Sequence, residues 1–412
     1  MFPSRTTTEE PGQLLLLAKR LHLFNLVAHY RLVSSALLYG LATRLTHNVY
    51  PGKRIVGNPL EQPTMKDPFF LEPIPWLSKA VQPFANYFNL PTLPLHIHEV
   101  LAAALLYTVV FYPLSPMLSN LLAGKHYSTL SRKKRLNWDA HVVSMVQSLL
   151  INSLALWVMA VDKERAAMDQ DERIWGYTGA AAFIQALGAG YFVWDLFVTA
   201  ANIDVFGPGT LAHAISALVV YSMGFVSRII DPCCCPMNPK TSSLTNPLQR
   251  PFVNYYSCNF ILWELSTPFL NVHWFMDKVN MTGSKAQLYN GFLLLGSFFM
   301  ARLVYGTYQS YRVFNDIWSA VGTNPSTEKI LSSSLMLYAT PKSEVPFWLA
   351  SSYLACNLVL NFLNFFWFFK MVTAVTKRFQ PAKTPSVKAD GAVSSTATGV
   401  STSQAAARRR LA

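Results

Sequence analysis

Charged side chains are scarce in this chain. Only 13% of its 412 residues are Asp, Glu, Lys or Arg, whereas 51% are hydrophobic. Soluble globular domains usually contain about 25% charged residues, so this composition excludes an ordinary soluble fold. A helix needs about 20 mostly apolar residues to cross a bilayer. The sequence therefore predicts an all-α protein, a polytopic membrane helix bundle.

Several familiar motifs are also missing. The chain has no Walker loop, no dinucleotide fingerprint, no zinc-ligand spacing and no nucleophile elbow. Its five cysteines, three of them consecutive at positions 233–235, do not form a disulfide framework. We therefore expect no metal and no cofactor.

Acidic residues are fewer than basic ones, 21 against 34, which gives a net charge of +13. Such a charge is compatible with nucleic acid, but in membrane proteins Lys and Arg collect in cytosolic loops. We expect no nucleic-acid partner. The basic run at 132–135 then predicts a cytosolic loop, and the acidic stretch at 162–172 predicts a lumenal one.

Seven segments have the length and composition of a membrane span. We predict spans at residues 96–115, 142–161, 177–202, 211–230, 252–275, 288–308 and 347–375. The third is rich in Gly and Ala, which allow close helix approach, so it is predicted to lie centrally.

Glu264 lies in the middle of the fifth predicted span. An unpaired carboxylate there costs about 2.5–3.5 kcal/mol even on lenient scales, so Glu264 needs a partner or a polar cavity. Arg302 and Asn271 are candidate partners. A buried Glu264–Arg302 pair that pins two helices together is one interpretation. A polar pocket beside a kink at Pro268 is the other.

Three further residues concentrate near the predicted cytosolic ends of the spans. Asp195 follows Trp194 in the third span, and His213 begins the fourth at a similar depth. If the two helices are neighbours, the carboxylate would orient the imidazole as a general base or nucleophile. Alternatively, each group simply contacts backbone or interfacial water. His141, at the start of the second span, either lines the same cavity or is an interfacial residue.

Four motifs in this order resemble the TLC domain family, which includes ceramide synthases and related lipid proteins of the endoplasmic reticulum. They are found at residues 135–141 (RLNWDAH), 190–196 (GYFVWDL), 211–216 (LAHAIS) and 264–271 (ELSTPFLN). The chain is most similar to the fungal branch that lacks ceramide synthases. The resemblance implies a multi-pass protein of the endoplasmic reticulum membrane that acts in lipid homeostasis.

The chain departs from ceramide synthases at the motif that carries their chemistry. It has Ala212 before His213 where those enzymes have adjacent histidines, and Trp263–Glu264 and Thr267 replace a His-Asp pair and a second Asp. The resemblance therefore implies a non-enzymatic protein that binds, senses or moves a lipid acyl chain. The alternative is an N-acyltransferase that uses acyl-CoA and a sphingoid base, with His213 and Asp195 as catalytic residues. In that enzyme His213 would be the base or nucleophile, and Asp195 or Glu264 would orient it.

Under either function the expected partner is a membrane lipid. The enzymatic alternative adds acyl-CoA as a partner. A homo-oligomer is compatible with either function. The residues expected to contact the lipid are His141, Trp194, Glu264, Asn271 and Arg302.

The resemblance also suggests how the chain is divided. Residues 95–376 would form the TLC domain, after a Pro-rich interfacial segment at 65–94 that should lack regular structure. Residues 1–64 would be an extension, which either contains an interfacial helix or is not part of the authentic protein. Residues 226–249 would be an insert, and our hypothesis is that they are a translated intron. Residues 377–412, poor in aromatics, are predicted to be a disordered cytosolic tail.

Overall fold

The computed structural model describes residues 66–88, 90, 92–225, 252–341 and 343–379. The predicted interfacial helix within 1–64, the insert at 226–249 and the tail beyond 379 lie outside the described residues. The longer helices are α1 (Pro75–Tyr87), α2 (Leu93–Tyr127), α3 (Arg132–Val161), α4 (Gly179–Ala201), α5 (Pro208–Met223), α6 (Thr267–Lys278), α7 (Lys285–Ala320) and α8 (Phe347–Phe379).

Short helical turns connect these helices. They span Lys163–Ala166, Gln170–Trp175, Ile203–Phe206, Asn254–Tyr256, Ser257–Ile261, Leu262–Ser266 and Thr327–Ser332. The described residues contain no β-strand, only an isolated bridge between Val321 and Val345. The predicted all-α membrane bundle is confirmed.

Within the described ranges, five helices are long and apolar enough to cross a membrane, namely α2, α3, α4, α7 and α8. They correspond to five of the seven predicted spans. The fourth predicted span is represented by α5, which has 16 residues. The fifth is divided into short pieces, with a tight 3₁₀ turn at Leu262–Ser266 directly before α6. A count of seven spans is therefore not confirmed.

The Pro-rich segment before α2 is more regular than expected. It contains the 13-residue helix α1, although Pro83 lies inside this helix. Pro75 occupies the first helical position, where its missing N–H costs nothing because that group has no intrahelical acceptor. The expectation that prolines break regular structure throughout this segment is wrong.

Helix α4 lies at the centre of the bundle, as its small residues predicted. Every residue from 179 to 192 is buried. A Cβ at Gly190 would lie 2.4 Å from the carbonyl oxygen of Val100 in α2, and one at Gly188 would lie 2.8 Å from the Tyr221 ring in α5. These glycines allow α4 to contact both neighbours closely.

Helix α8 has the opposite character. Only 17% of its most apolar 18-residue stretch is buried inside the protein, and Phe362 and Phe369 are exposed. Such an apolar exposed face is suited to contact with lipid. The described residues up to Lys370 belong to one compact unit, and residues 371–379 belong to a second.

Candidate functional site

A small cavity of about 20 Å³ lies within the bundle. His213, Glu264 and Asn357 are polar residues in its lining, and most of its wall is apolar or aromatic. A second cavity, of about 10 Å³, shares Val220, Tyr221 and Phe260 with the first. The two cavities are therefore neighbours.

The turn before α5 places His213 in the lining. Gly207 has a φ of +84°, which favours glycine, and Pro208 then starts the helix. The His213 ring lies 6.1 Å from the Phe192 ring and 5.6 Å from the Trp367 ring, measured between centroids. No described side chain forms a hydrogen bond with this imidazole. Its nitrogens are therefore available to a bound molecule.

Glu264 reaches the same cavity from the 3₁₀ turn that precedes α6. Only 8% of the residue is exposed. Its Oε1 lies 3.6 Å from Nη2 of Arg302, so the predicted ion pair is present. His213 and Glu264, which come from different helical segments, thus face one space.

Arg302 forms most of its contacts with neutral oxygens rather than with Glu264. Its guanidinium donates to Ser266 Oγ at 3.2 Å, to Thr267 Oγ1 at 3.1 Å and to Asn364 Oδ1 at 3.0 Å. These bonds hold the Arg302 side chain between helix α8 and the first residues of α6. Because Glu264 receives a single long contact from Arg302, the carboxylate retains capacity to accept hydrogen bonds from the cavity.

Asp195 and Trp194 are not in the lining of this cavity. Asp195 accepts a hydrogen bond from Thr199 of its own helix at 3.2 Å. Trp194 is buried, with its ring stacked on Tyr191 at 6.0 Å. In the described part of the chain, no hydrogen bond joins Asp195 to His213. Glu264 is the carboxylate that shares the cavity with the histidine.

His141 and Asn271 form a separate cluster between α3 and α6. His141 Nδ1 lies 2.7 Å from Asn271 Oδ1, and the Asn271 amide donates to Ser144 Oγ at 3.1 Å. The imidazole stacks on Trp274 with ring centroids 4.0 Å apart. Neither residue lines the cavity that contains His213. The predicted set of residues is therefore divided among three places, namely the cavity, the His141–Asn271 cluster and the Asp195–Trp194 part of α4.

Gln185 is a lining residue that the sequence analysis did not single out. It lies in the smaller cavity, where its amide donates to the Tyr221 carbonyl at 3.0 Å and accepts from Asn254 at 3.2 Å. A glutamine in the middle of an apolar span was the available signal, since such a residue needs internal hydrogen bonds.

Comparisons with known proteins agree on one family. The model of the TLC domain family matches residues 137–237 and 241–373. An uncharacterized TLC domain-containing protein of Schizosaccharomyces pombe is 37% identical over 73% of this chain and 86% of its own length. The Saccharomyces cerevisiae topoisomerase I damage affected protein 4 is 24% identical over 70% of this chain and 88% of its own length.

A human relative, TLC domain-containing protein 4, is 25% identical over 48% of this chain and 65% of its own length. No solved structure matches.

Proposed function

Because this chain belongs to the TLC domain family, as its sequence motifs suggested, we propose that it is a multi-pass protein of the endoplasmic reticulum membrane that acts in lipid homeostasis. It would bind a lipid whose acyl chain widens the small cavity as it enters between the apolar residues of the lining. The polar end of the lipid would meet His213 and Glu264. Sensing or moving such a lipid both begin with this binding step.

One observation carries the proposal, namely that an imidazole and a carboxylate share an otherwise largely apolar cavity inside a membrane bundle. Ionisable groups within a membrane protein are expensive and usually face a cavity or a partner. Binding pockets are typically apolar with a few polar groups that fix the ligand's orientation. A lipid with a hydroxyl, amide or amine next to its chain suits this lining.

The test is lipid retention by the purified full-length protein in nanodiscs. A photoreactive sphingoid base and a photoreactive fatty acid serve as probes, and mass spectrometry locates the crosslinks. We expect crosslinks at cavity residues, and a loss of labelling in Glu264→Gln and His213→Asn. Asp204→Asn is the matched control, since this exposed carboxylate pairs with Lys133 at the surface. Equal labelling of all four proteins would overturn the proposal.

The enzymatic alternative is favoured by the same juxtaposition of His213 and Glu264. In an N-acyl transfer, the amine of a sphingoid base would attack the thioester carbonyl of acyl-CoA. The imidazole would take the amine proton, and the CoA thiolate would leave and be protonated. Turnover of these two substrates by the purified protein, abolished in His213→Ala, would replace the non-enzymatic proposal with this one.

A further inference from the structure

Asp67, His96 and Glu99 form a cluster at the start of α2, in which His96 and Glu99 are buried and Asp67 is half-buried. His96 Nδ1 lies 2.9 Å from Glu99 Oε2 and 3.3 Å from Asp67 Oδ2. His96 is 2% exposed and Glu99 is 0% exposed. One potential ligand atom from each residue lies within 4.8 Å of the other two. Two carboxylates and an imidazole therefore converge on one point.

The fold holds this cluster together from two distant parts of the chain. His96 and Glu99 are one turn apart on the same face of α2. Asp67 belongs to the segment before α1, and its backbone packs against the start of α4. A Cβ at Gly179 would lie 2.5 Å from the Asp67 nitrogen. Asp67 Oδ1 also accepts from the Phe69 N–H at 2.8 Å. The Asp67 backbone is thus fixed by packing and by its own turn.

Two carboxylates face one imidazole in this cluster, so even a protonated His96 leaves one negative charge without a counter-charge among the described residues. Glu99 Oε1 is buried and has no hydrogen-bond partner among the described residues. None of the described lysines and arginines forms an ion pair with Asp67 or Glu99. Burying an unpaired carboxylate oxygen is costly. A positive species between these oxygens would remove that cost.

Two of the three ligand separations are close to those of a tetrahedral zinc site. Two ligands that are each about 2.0–2.1 Å from Zn²⁺ lie about 3.3 Å apart in a tetrahedral site. The His96–Asp67 separation already has this value, and the His96–Glu99 separation of 2.9 Å needs only a small expansion. Carboxylate and imidazole are common zinc ligands. Three such ligands leave the fourth position for water.

An outer-shell hydrogen bond supports the same assignment. His96 Nε2 lies 2.7 Å from the Tyr177 hydroxyl. A histidine that binds a metal through one nitrogen usually donates its other N–H to a fixed partner. Here Nε2–H would donate to Tyr177 and leave Nδ1 directed at the two carboxylates.

We propose that Asp67, His96 and Glu99 bind a Zn²⁺ ion, which attaches the segment before α1 to the start of α2. The sequence pattern did not reveal this site because Asp67 is far from the other two ligands in the chain. The inference is independent of the proposed lipid function, since none of these residues lines the cavity with His213.

The test uses the full-length protein in detergent, stripped with a chelator and then titrated with ZnCl₂, with bound metal measured by elemental analysis. We expect about one Zn²⁺ per chain, and four-coordinate absorption bands when Co²⁺ replaces it. Loss of an outer-shell partner weakens metal binding by roughly 10- to 100-fold. Glu99→Gln and Asp67→Asn change direct ligands, so each should weaken Zn²⁺ binding by at least this factor.

Two controls address the other potential zinc ligands. His126→Gln changes a histidine on the same helix that lies outside the cluster, and Cys233→Ser changes the cysteine run. Both variants should bind zinc as the wild type does. Asp67→Asn keeps the test decisive if Glu99→Gln does not fold, because Asp67 lies outside the long helices. Failure of the wild type to bind Zn²⁺, or unchanged binding in Asp67→Asn, would overturn the proposal.

Discussion

Two buried arginine–carboxylate pairs in this protein differ in their geometry. Arg173 makes two short hydrogen bonds to Asp316, of 2.7 and 2.9 Å, and Tyr256 donates a third to the same carboxylate. Arg302 instead makes one 3.6 Å contact with Glu264. The Asp316 carboxylate accepts three hydrogen bonds from protein donors, whereas the Glu264 carboxylate borders a cavity. The comparison separates an ion pair that holds the fold from one that is available to a ligand.

The surroundings of the two arginines explain the difference. Arg173 belongs to the short helix Gln170–Trp175, and its bonds to Asp316 attach that helix to the end of α7. These hydrogen bonds raise the pKa of Arg173 above its ordinary value. Arg302 is already fixed by Ser266, Thr267 and Asn364. It does not depend on Glu264 for its position.

The largest effect is therefore expected for Asp316→Ala. This change leaves Arg173 without its counter-charge and Tyr256 without its acceptor, and losing one partner of a buried pair costs about 3–5 kcal/mol. Thermal unfolding of the purified protein in detergent should show a large fall in stability. Asp204→Ala, at an exposed pair, is the matched control. A similar small loss in both variants would contradict a structural role for the Arg173–Asp316 pair.

An intermediate effect is expected for Glu264→Gln. The change removes the counter-charge of the buried Arg302, but this guanidinium keeps its three hydrogen bonds to neutral oxygens, so we expect a loss below the roughly 3–5 kcal/mol of a broken buried pair. The same unfolding measurement, repeated with added lipid, sharpens the comparison. A lipid that binds only the folded protein raises its stability, and this increment should be smaller in Glu264→Gln. Asp316→Ala, in contrast, should lower stability yet keep the increment.

A full increment in Glu264→Gln would mean that this carboxylate does not contact the lipid. A lost increment in Asp316→Ala would mean that the two pairs are not independent.

The sequence predicted the Glu264–Arg302 pair because a carboxylate within an apolar span requires a counter-charge. It also predicted the central position of α4, since a run of small residues allows close approach on all sides. It did not decide whether Asp195 or Glu264 would face His213. That choice depends on the rotation of each helix about its axis, which is set by packing between segments distant in the chain.

The division of the remaining candidates has a similar cause. His141 and Asn271 each carried a polar signal, but only the fold shows that they contact one another and not the cavity. Asp67 carried no signal at all, because it lies outside the helices and its neighbours in space, His96 and Glu99, belong to α2. Periodicity reveals which residues share one helix face, and contacts between separate segments lie beyond it.

The smallest effect is expected at a third ion pair, between Lys329 and Asp169, which is largely open to solvent. Burial acts to raise the pKa of Asp169, but hydrogen bonds from Lys329 and from the Glu172 N–H lower it below the ordinary value of 3.8. A carboxyl group with a lowered pKa in the folded state stabilises the protein above its unfolded pKa. That contribution disappears as pH falls through the lower folded value.

Lys329→Met should therefore cost less than about 1 kcal/mol at neutral pH, because exposed pairs are weak. The difference from the wild type should shrink at high salt and again as the pH falls below 3.8, where Asp169 begins to take up a proton. Thermal unfolding across a pH and salt series measures both trends. Asp316→Ala, whose ion pair is shielded from solvent, should keep its deficit at high salt. A deficit in Lys329→Met that persists at high salt would place this pair in the same class as Arg173 and Asp316.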